Sequence, residues 1–392
     1  MNYQFDQKID RRNTGSMKWD VAENELPMWV ADMDFQTAPE IIESIIKRAG
    51  QGVFGYTVVT DEWYQAYQEW WSSRHHFKID REWLIFCTGV VPAISSIVRK
   101  VTTVGENVVV MTPVYNIFFN SILNNGRNVL ESRLKYDGDA YQIDFEDLEE
   151  KLSNPQTTLL ILCNPHNPVG KIWGKETLKL VGELCSKHHV LVLSDEIHCD
   201  LTKPGYEYTP FASVSETCRE NSITCVAPTK AFNLAGIQTA AVIVPDKNLR
   251  HKVTRGLNTD EVAEPNVFAA IAPIAAFSDG EEWLDALRVY LWENRTFAEE
   301  YIKREIPHIS PVPADATYLL WLDCRNILGS SSELCHFIRR HSGLHLSDGN
   351  EYRNGEGFLR MNLACPRKQV EDGLKRLKKS MAAYEKWVCE QC

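Results

Sequence analysis

Residues 222–236 read SITCVAPTKAFNLAG. The first half, SITCVAP, is apolar at nearly every position, which is typical of a strand buried on both faces of a parallel sheet. Lys230 follows in the turn directly after this strand. An ammonium group is costly to bury, and lysine is a residue type that forms imines with carbonyl groups. The stretch therefore indicates a lysine used for chemistry, with a solvated loop lysine as the alternative.

Five similar apolar runs surround this strand. They are LIFCTG (84–89), ENVVVMT (106–112), TTLLILCN (157–164), VLVLSD (190–195) and TAAVIVP (239–245). Helical patterns such as KETLKLVGELCSKHH lie between them and supply the crossovers that parallel strands need. The alternation predicts an α/β fold with functional residues at the strand ends.

The element pattern also predicts the domain organisation. Helices are expected at PEIIESIIKRAG and from Asp61 onwards, and a long helix begins near residue 281. We expect an N-terminal arm (1–45) that joins the small domain, a large domain (46–284) and a small α+β C-terminal domain (285–392).

Composition excludes several classes of function. The net charge of −11 argues against a nucleic-acid surface, and no run of about 18 apolar residues predicts a membrane span. Single cysteines in apolar stretches and the lack of a signal-like N-terminus favour the cytoplasm. The pair Cys389 and Cys392 has no second pair beside it, so no metal site is expected there.

Polar side chains follow several of the apolar runs. Asp195 ends VLVLSD, and Asn167 lies in an Asn-Pro-x-Gly turn after TTLLILCN. Gly89 opens a helix whose first N–H groups, those of Val90 and Val91, make a natural phosphate seat. Each residue also has an ordinary structural interpretation, as a helix cap, buried ion pair or turn.

Arg360 lies inside the apolar strand of EGFLRMNLACP. Its planar guanidinium suits a substrate carboxylate, and an internal ion pair is the alternative. The order Gly89, Tyr115, Asn167, Asp195, Lys230, Arg360 carries more information than any single member.

This set resembles the fold-type I pyridoxal-phosphate enzymes of the aminotransferase superfamily, over nearly the whole chain. The chain is most similar to the MalY/PatB-type cystathionine β-lyases, which are carbon–sulfur lyases. The segments that carry this similarity are LPMWVADMDF, FGYT, TGVVPAIS, PVYNIFF, CNPHNPVGKIW, SDEIHCDL, KAFNLAG and FLRMNLACPR. The resemblance implies an aminotransferase-like large domain with a mainly parallel seven-stranded sheet.

The resemblance also implies the roles of individual residues. Lys230 would be the Schiff-base lysine, Asp195 the partner of the pyridine nitrogen and Asn167 the partner of the phenolic oxygen. Tyr115 would stack on the cofactor ring as a catalytic residue, and Arg360 would bind the substrate carboxylate. Further expected cofactor contacts are Val90, Val91, Thr229, His198 and Tyr56, with Tyr56 also near the substrate and supplied by the neighbouring subunit of a homodimer.

Two positions depart from the wider superfamily. Many aminotransferases have an arginine eight positions after the lysine, where this chain has Gln238. The usual Asp-x-x-Tyr is replaced by a motif ending in His198, whose role stays open between packing and catalysis.

The resemblance implies α,β-elimination of cystathionine, cysteine or related S-conjugates to pyruvate, ammonia and a thiol. The alternatives are an aminotransferase, which shares the core residues, and a regulatory protein that keeps the fold. The second is disfavoured because no segment of DNA-binding size remains outside the enzyme-like region.

Overall fold

Strands form at each of the six apolar runs, and the computed structural model describes residues 3–391. In chain order the strands are β1 (Leu26–Pro27), β2 (Leu84–Cys87), β3 (Asn107–Thr112), β4 (Asn128–Arg133), β5 (Lys135–Tyr136), β6 (Tyr141–Gln142), β7 (Thr157–Cys163), β8 (Leu191–Asp195), β9 (Ser222–Val226), β10 (Ala240–Ile243), β11 (Ser310–Pro311), β12 (Leu319–Asp323), β13 (Leu344–His345), β14 (Ser347–Asp348) and β15 (Phe358–Asn362).

Helices occupy most of the connections between these strands. In chain order they are α1 (Pro39–Ala49), α2 (Asp61–Arg74), α3 (Val90–Val101), α4 (Ile117–Leu123), α5 (Phe145–Leu152), α6 (Lys175–Lys187), α7 (Glu216–Glu220), α8 (Lys247–Thr259), α9 (Val267–Asp279), α10 (Glu281–Glu305), α11 (Ser331–Ser342) and α12 (Arg367–Gln391). The predicted helices after Pro39, from Asp61 and from residue 281 are all present.

The central sheet has seven strands in the order β2-β10-β9-β8-β7-β3-β4. All neighbours are parallel except β10, which runs antiparallel to both β2 and β9. The expected mainly parallel seven-stranded sheet is therefore confirmed. The seventh strand, β4, was not indicated by an apolar run, because it lies at the sheet edge and only one of its residues is fully buried.

The sheet is buried on both faces, as its continuous apolar strands require. In β3, Val108 and Val110 pack into a core that includes residues of α3 and α8. Val109 and Met111 point the other way, into a core that includes residues of α5 and α6. This period-2 alternation places helices on both sides and leaves the strand ends free for a site.

A second sheet, β11-β12-β15-β14, forms the C-terminal part with α11 and α12. The N-terminal arm joins it, since β1 pairs in parallel with β13 and the N–H of Asn362 donates to the Met28 carbonyl (2.8 Å). The exact division at residues 45 and 284 stays a prediction.

Among residues 3–391, no helix combines the length and apolar character that a bilayer crossing needs. The expectation about Cys389 and Cys392 falls outside the described residues.

Candidate active site

The predicted site residues converge at one edge of the central sheet. Asp195 is the last residue of β8, while Asn167 and Lys230 lie in the loops after β7 and β9. Tyr115 follows β3, and α3 begins directly after the turn that follows β2. Because all these strands run in the same direction, their carboxyl ends meet on one side. Arg360 reaches the same place from β15 of the second sheet.

Arg360 and Asn167 are in direct contact. The Arg360 guanidinium donates to Asn167 Oδ1 (3.2 Å) and to the Trp29 carbonyl (2.7 Å), and it lies 5.0 Å from the Tyr352 ring centroid. Arg360 Nε is buried and has no hydrogen-bond partner within residues 3–391. The guanidinium therefore keeps a donor for a further anion, and the Asn167 amide N–H₂ stays free for another acceptor.

Lys230 lies between these groups and the N-terminal arm. Its Nζ donates to the Ala31 carbonyl at 2.6 Å. The pKa of the amine is lowered to about 8. Burial is the largest cause and charge repulsion from Arg360 adds to it, while Asp32 and Asp195 oppose the change. At pH 7 roughly one tenth of the amine is thus uncharged and nucleophilic, far more than for an ordinary lysine.

Asp195 is a buried carboxylate that lacks a cation. It is 4% exposed, and its Oδ1 accepts a hydrogen bond from the Ile197 N–H (3.1 Å). Burial raises its pKa to about 7, against opposing effects of the Ile197 hydrogen bond and Lys230. No lysine, arginine or histidine within 3–391 forms an ion pair with it at 4.0 Å or less. A protonated ring nitrogen is the type of partner that this carboxylate needs.

The start of α3 offers free backbone donors. The first helical bond runs from Ala93 N–H to the Gly89 carbonyl (3.0 Å), so the N–H groups of Val90 and Val91 have no intrahelical acceptor. Such a helix start binds phosphate groups. Thr229, beside Lys230, is 8% exposed and offers a hydroxyl. Gln238, eight positions after Lys230, is exposed on the surface.

The loop that carries Asn167 is held by a close approach of two backbones. Gly170 has a φ of +71°, and a Cβ there would lie 2.5 Å from the Ala314 Cβ. The Gly170 carbonyl accepts hydrogen bonds from the N–H groups of Asp315 (2.9 Å) and Ala316 (3.0 Å). Only glycine fits this turn, which fixes Asn167 against the segment before β12.

Tyr115 and His198 complete the walls of the site. Burial raises the pKa of Tyr115 to about 12, so its hydroxyl stays protonated. His198 is 3% exposed, and its ring lies edge-on to Tyr318 with 6.3 Å between centroids. Burial, helped by Lys230 and Arg360, lowers the His198 pKa to about 3, and its Nδ1 has no partner. His198 is therefore a neutral imidazole at physiological pH.

Tyr56 is not brought into the site by a single chain. Its side chain is fully exposed, in an irregular segment that also exposes Val53, Phe54 and Val58 by 60% or more. Its expected contact with a phosphate of the neighbouring subunit stays a prediction.

Sequence reasoning missed two asparagines that fix the N-terminal arm over the site. Asn233 Oδ1 accepts from the Met33 N–H (3.0 Å), and its Nδ2 donates to the carbonyls of Met33 (3.1 Å) and Phe35 (2.9 Å). Asn362 Nδ2 donates to the carbonyls of Val30 (2.6 Å) and Asp32 (2.7 Å). Asn362 stands two residues after Arg360 in an apolar strand, and this i, i+2 pair of polar residues was a detectable signal.

The donor set fits pyridoxal phosphate. An amine of lowered pKa suits the aldehyde, an unpaired buried carboxylate suits the pyridine nitrogen, and free helix N–H groups suit the phosphate.

A parallel sheet with this lysine and aspartate at its carboxyl edge defines an aminotransferase-like enzyme. The chain belongs to the aminotransferase class I and II family, whose model matches residues 23–377. It is 42% identical to cystathionine beta-lyase PatB of Bacillus subtilis, over 96% of this chain and 100% of that protein. It is 32% identical to protein MalY of Escherichia coli, over 95% of this chain and 97% of that protein.

A solved structure gives the same picture. Cystalysin from Treponema denticola, which contains a pyridoxal 5'-phosphate cofactor, is 33% identical with a TM-score of 0.95, covering 98% of this chain and 100% of that one. The family and fold expected from the sequence are therefore confirmed.

Proposed function

We propose that the protein is a pyridoxal-phosphate-dependent carbon–sulfur β-lyase. It eliminates the β-substituent of L-cystathionine, L-cysteine or related S-conjugates and yields pyruvate, ammonia and a thiol, which is homocysteine or hydrogen sulfide. The observation that carries this proposal is the pairing of a low-pKa Lys230 with an Asp195 that lacks a cation, at neighbouring strand ends. The 42% identity to a protein named cystathionine beta-lyase supports the lyase over the aminotransferase alternative.

The cofactor, when bound, supplies an electron sink that stabilises negative charge at the substrate Cα. Asp195 would keep the ring nitrogen protonated, and the N–H groups of Val90 and Val91, with Thr229, would hold the phosphate. Tyr115 would cover the ring. Asn167 Oδ1 accepts from Arg360, and its Nδ2 would donate to the phenolic oxygen.

Substrate binding and proton transfer fall to Arg360 and Lys230. Arg360 Nε, buried and without a partner, is available to a substrate carboxylate. Lys230, with a pKa near 8, is a suitable general base for the Cα proton. The bond between Cβ and sulfur then breaks with its electron pair passing to sulfur, and the thiolate takes up a proton and leaves as the thiol. Water hydrolyses the remaining three-carbon unit to pyruvate and ammonia. Neutral His198 would line the cofactor pocket and takes no part in proton transfer in this scheme.

We further propose that the site is completed by a second copy of the chain. The segment 53–58 exposes Val53, Phe54, Tyr56 and Val58 to solvent. Phe54 is 60% exposed although its ring lies 6.2 Å from that of Phe268 and 5.9 Å from the Arg48 guanidinium. An exposed apolar segment of this kind is typical of an interface. In a homodimer Tyr56 reaches the phosphate and substrate of the neighbouring subunit.

The cytoplasm is the proposed location. The nine cysteines described between Cys87 and Cys365 are all unpaired, which supports a reducing compartment.

The test of the lysine assignment is the variant Lys230→Ala. Purified wild-type protein is expected to absorb near about 420 nm, as an imine of pyridoxal phosphate with lysine does. The variant is expected to lose this covalent link and all pyruvate release. Pyruvate release at the wild-type rate by the variant would rule out the assignment.

The dimer proposal has a separate test in mixed subunits. Tyr56→Ala and Lys230→Ala proteins, each impaired, are unfolded together and refolded. If the two residues belong to one site contributed by two subunits, about one quarter of the wild-type sites are restored, since half of the dimers are mixed and each has one intact site. No recovery above the separately refolded variants would contradict a shared site.

A further inference from the structure

The Ala31 carbonyl accepts two hydrogen bonds, from the half-buried Lys230 and the buried Tyr318. One comes from Lys230 Nζ at 2.6 Å and the other from the Tyr318 hydroxyl at 3.0 Å. A carbonyl oxygen has two lone pairs, so both donors are satisfied together. Tyr318 is 2% exposed, and burial raises its pKa, so the hydroxyl keeps its proton and remains a donor.

The backbone carbonyls of the arm around Ala31 point alternately to opposite sides, as in an extended chain. The carbonyls of Trp29 and Ala31 bond to Arg360 and Lys230. The carbonyls of residues 30 and 32, on either side of Ala31, bond instead to Asn362. The arm therefore sets the spacing between the guanidinium that would take the substrate carboxylate and the amine that would take the Cα proton.

We infer that Tyr318 is a positioning residue for Lys230 and acts through the Ala31 carbonyl. Its hydroxyl fixes the direction of that carbonyl, which in turn holds the Lys230 amine whenever the amine is not bound to the cofactor. Without the hydroxyl, the flexible Lys230 would be the one side chain among the described residues that bonds to this carbonyl. This inference rests on the proposed function, in which the free amine of Lys230 acts as the base.

The test uses Tyr318→Phe, which removes only the hydroxyl. Tyr67→Phe is the matched control, since Tyr67 is fully buried and its hydroxyl has no partner. With L-cysteine, Tyr318→Phe is expected to lower kcat about 10- to 100-fold with little change in KM, because the base is misplaced while substrate binding is intact. The isotope effect on kcat with Cα-deuterated cysteine is expected to increase. The control should stay within about twofold of wild type, as for a distant core change.

A second readout does not depend on turnover. Pyridoxal phosphate is added to the cofactor-free full-length chain, and the absorbance at about 420 nm is followed with time. Tyr318→Phe is expected to form the imine about tenfold more slowly than wild type and reach the same final absorbance. An unchanged rate of imine formation, whatever the final absorbance, would overturn the inference and leave Tyr318 a structural residue. If wild-type protein releases no pyruvate, the proposed function fails, and the imine-formation rate alone decides the role of Tyr318.

Discussion

Asp195→Asn should make the cofactor-free protein more stable, although it removes a residue essential to the proposed reaction. The carboxyl is 4% exposed and receives one backbone hydrogen bond. Its pKa lies at about 7, against an ordinary value of 3.8. Ionising it in the folded chain therefore costs about 4 kcal/mol more than in water, at about 1.36 kcal/mol per pH unit. Asparagine has nearly the same shape and no charge.

The sign of the pH dependence follows from the direction of this pKa change. Because the folded-state pKa is raised, the folded chain binds a proton that the unfolded chain has already lost between pH 3.8 and about 7. The contribution of Asp195 to stability is complete below pH 3.8 and is lost as the pH rises to about 7. The advantage of the variant over wild type should thus be about 2 to 3 kcal/mol larger at pH 8 than at pH 5.

The assay is thermal or urea unfolding of both cofactor-free proteins at pH 5 and pH 8. Asp200→Asn is the matched control, a second buried aspartate five residues along the chain. Burial raises the Asp200 pKa, but His75, Arg74 and Trp70 outweigh burial and bring the pKa below its ordinary value. This control should therefore lose stability at pH 8, where Asp195→Asn gains it. Destabilisation by Asp195→Asn at pH 8 would refute the claim that this carboxylate lacks a cation.

Three further predictions concern the site and its arm. Arg360→Lys should lower kcat/KM about 100-fold, mainly through KM, because lysine cannot bond Asn167, the Trp29 carbonyl and a substrate carboxylate together. Steady-state kinetics with cysteine measures this change, and an unchanged KM would contradict the prediction. Asn233→Asp removes both donated bonds to the arm, so hydrogen exchange of residues 29–35 should become faster while that of the central sheet does not. The rate at which Lys230 of the cofactor-free chain is acetylated should rise with pH to a midpoint near pH 8, below that of an ordinary lysine, because burial disfavours its charged form. A midpoint near pH 10.5 would contradict the burial argument.

The fold and the strand-end residues were predictable because each leaves a mark in the sequence. A strand buried on both faces is apolar at nearly every position, and a charged residue at its end or in the following turn stands out, as Asp195 and Lys230 do. Arg360 was visible for the same reason, inside an apolar strand. Strand β4 was not, because an edge strand needs less apolar sequence and only one of its residues is fully buried.

The remainder of the site depends on tertiary contacts that residue types do not reveal. The acceptor for Lys230 is the backbone carbonyl of Ala31, which any residue at that position would supply. Tyr318 precedes a buried strand and looks like an ordinary core residue, yet its hydroxyl donates a hydrogen bond to the same carbonyl. The exposure of Tyr56 likewise cannot be read from the sequence, because it is the folded chain that leaves the apolar residues around it exposed to solvent.

The central claim is that the protein catalyses β-elimination and not amino-group transfer. Its most direct test is incubation of the purified, cofactor-loaded protein with L-cystathionine and no keto acid, followed by measurement of thiol, pyruvate and ammonia. We predict continuous release of homocysteine and pyruvate in equal amounts over many turnovers. No thiol release without a keto acid, together with activity once one is added, would contradict the lyase and identify an aminotransferase.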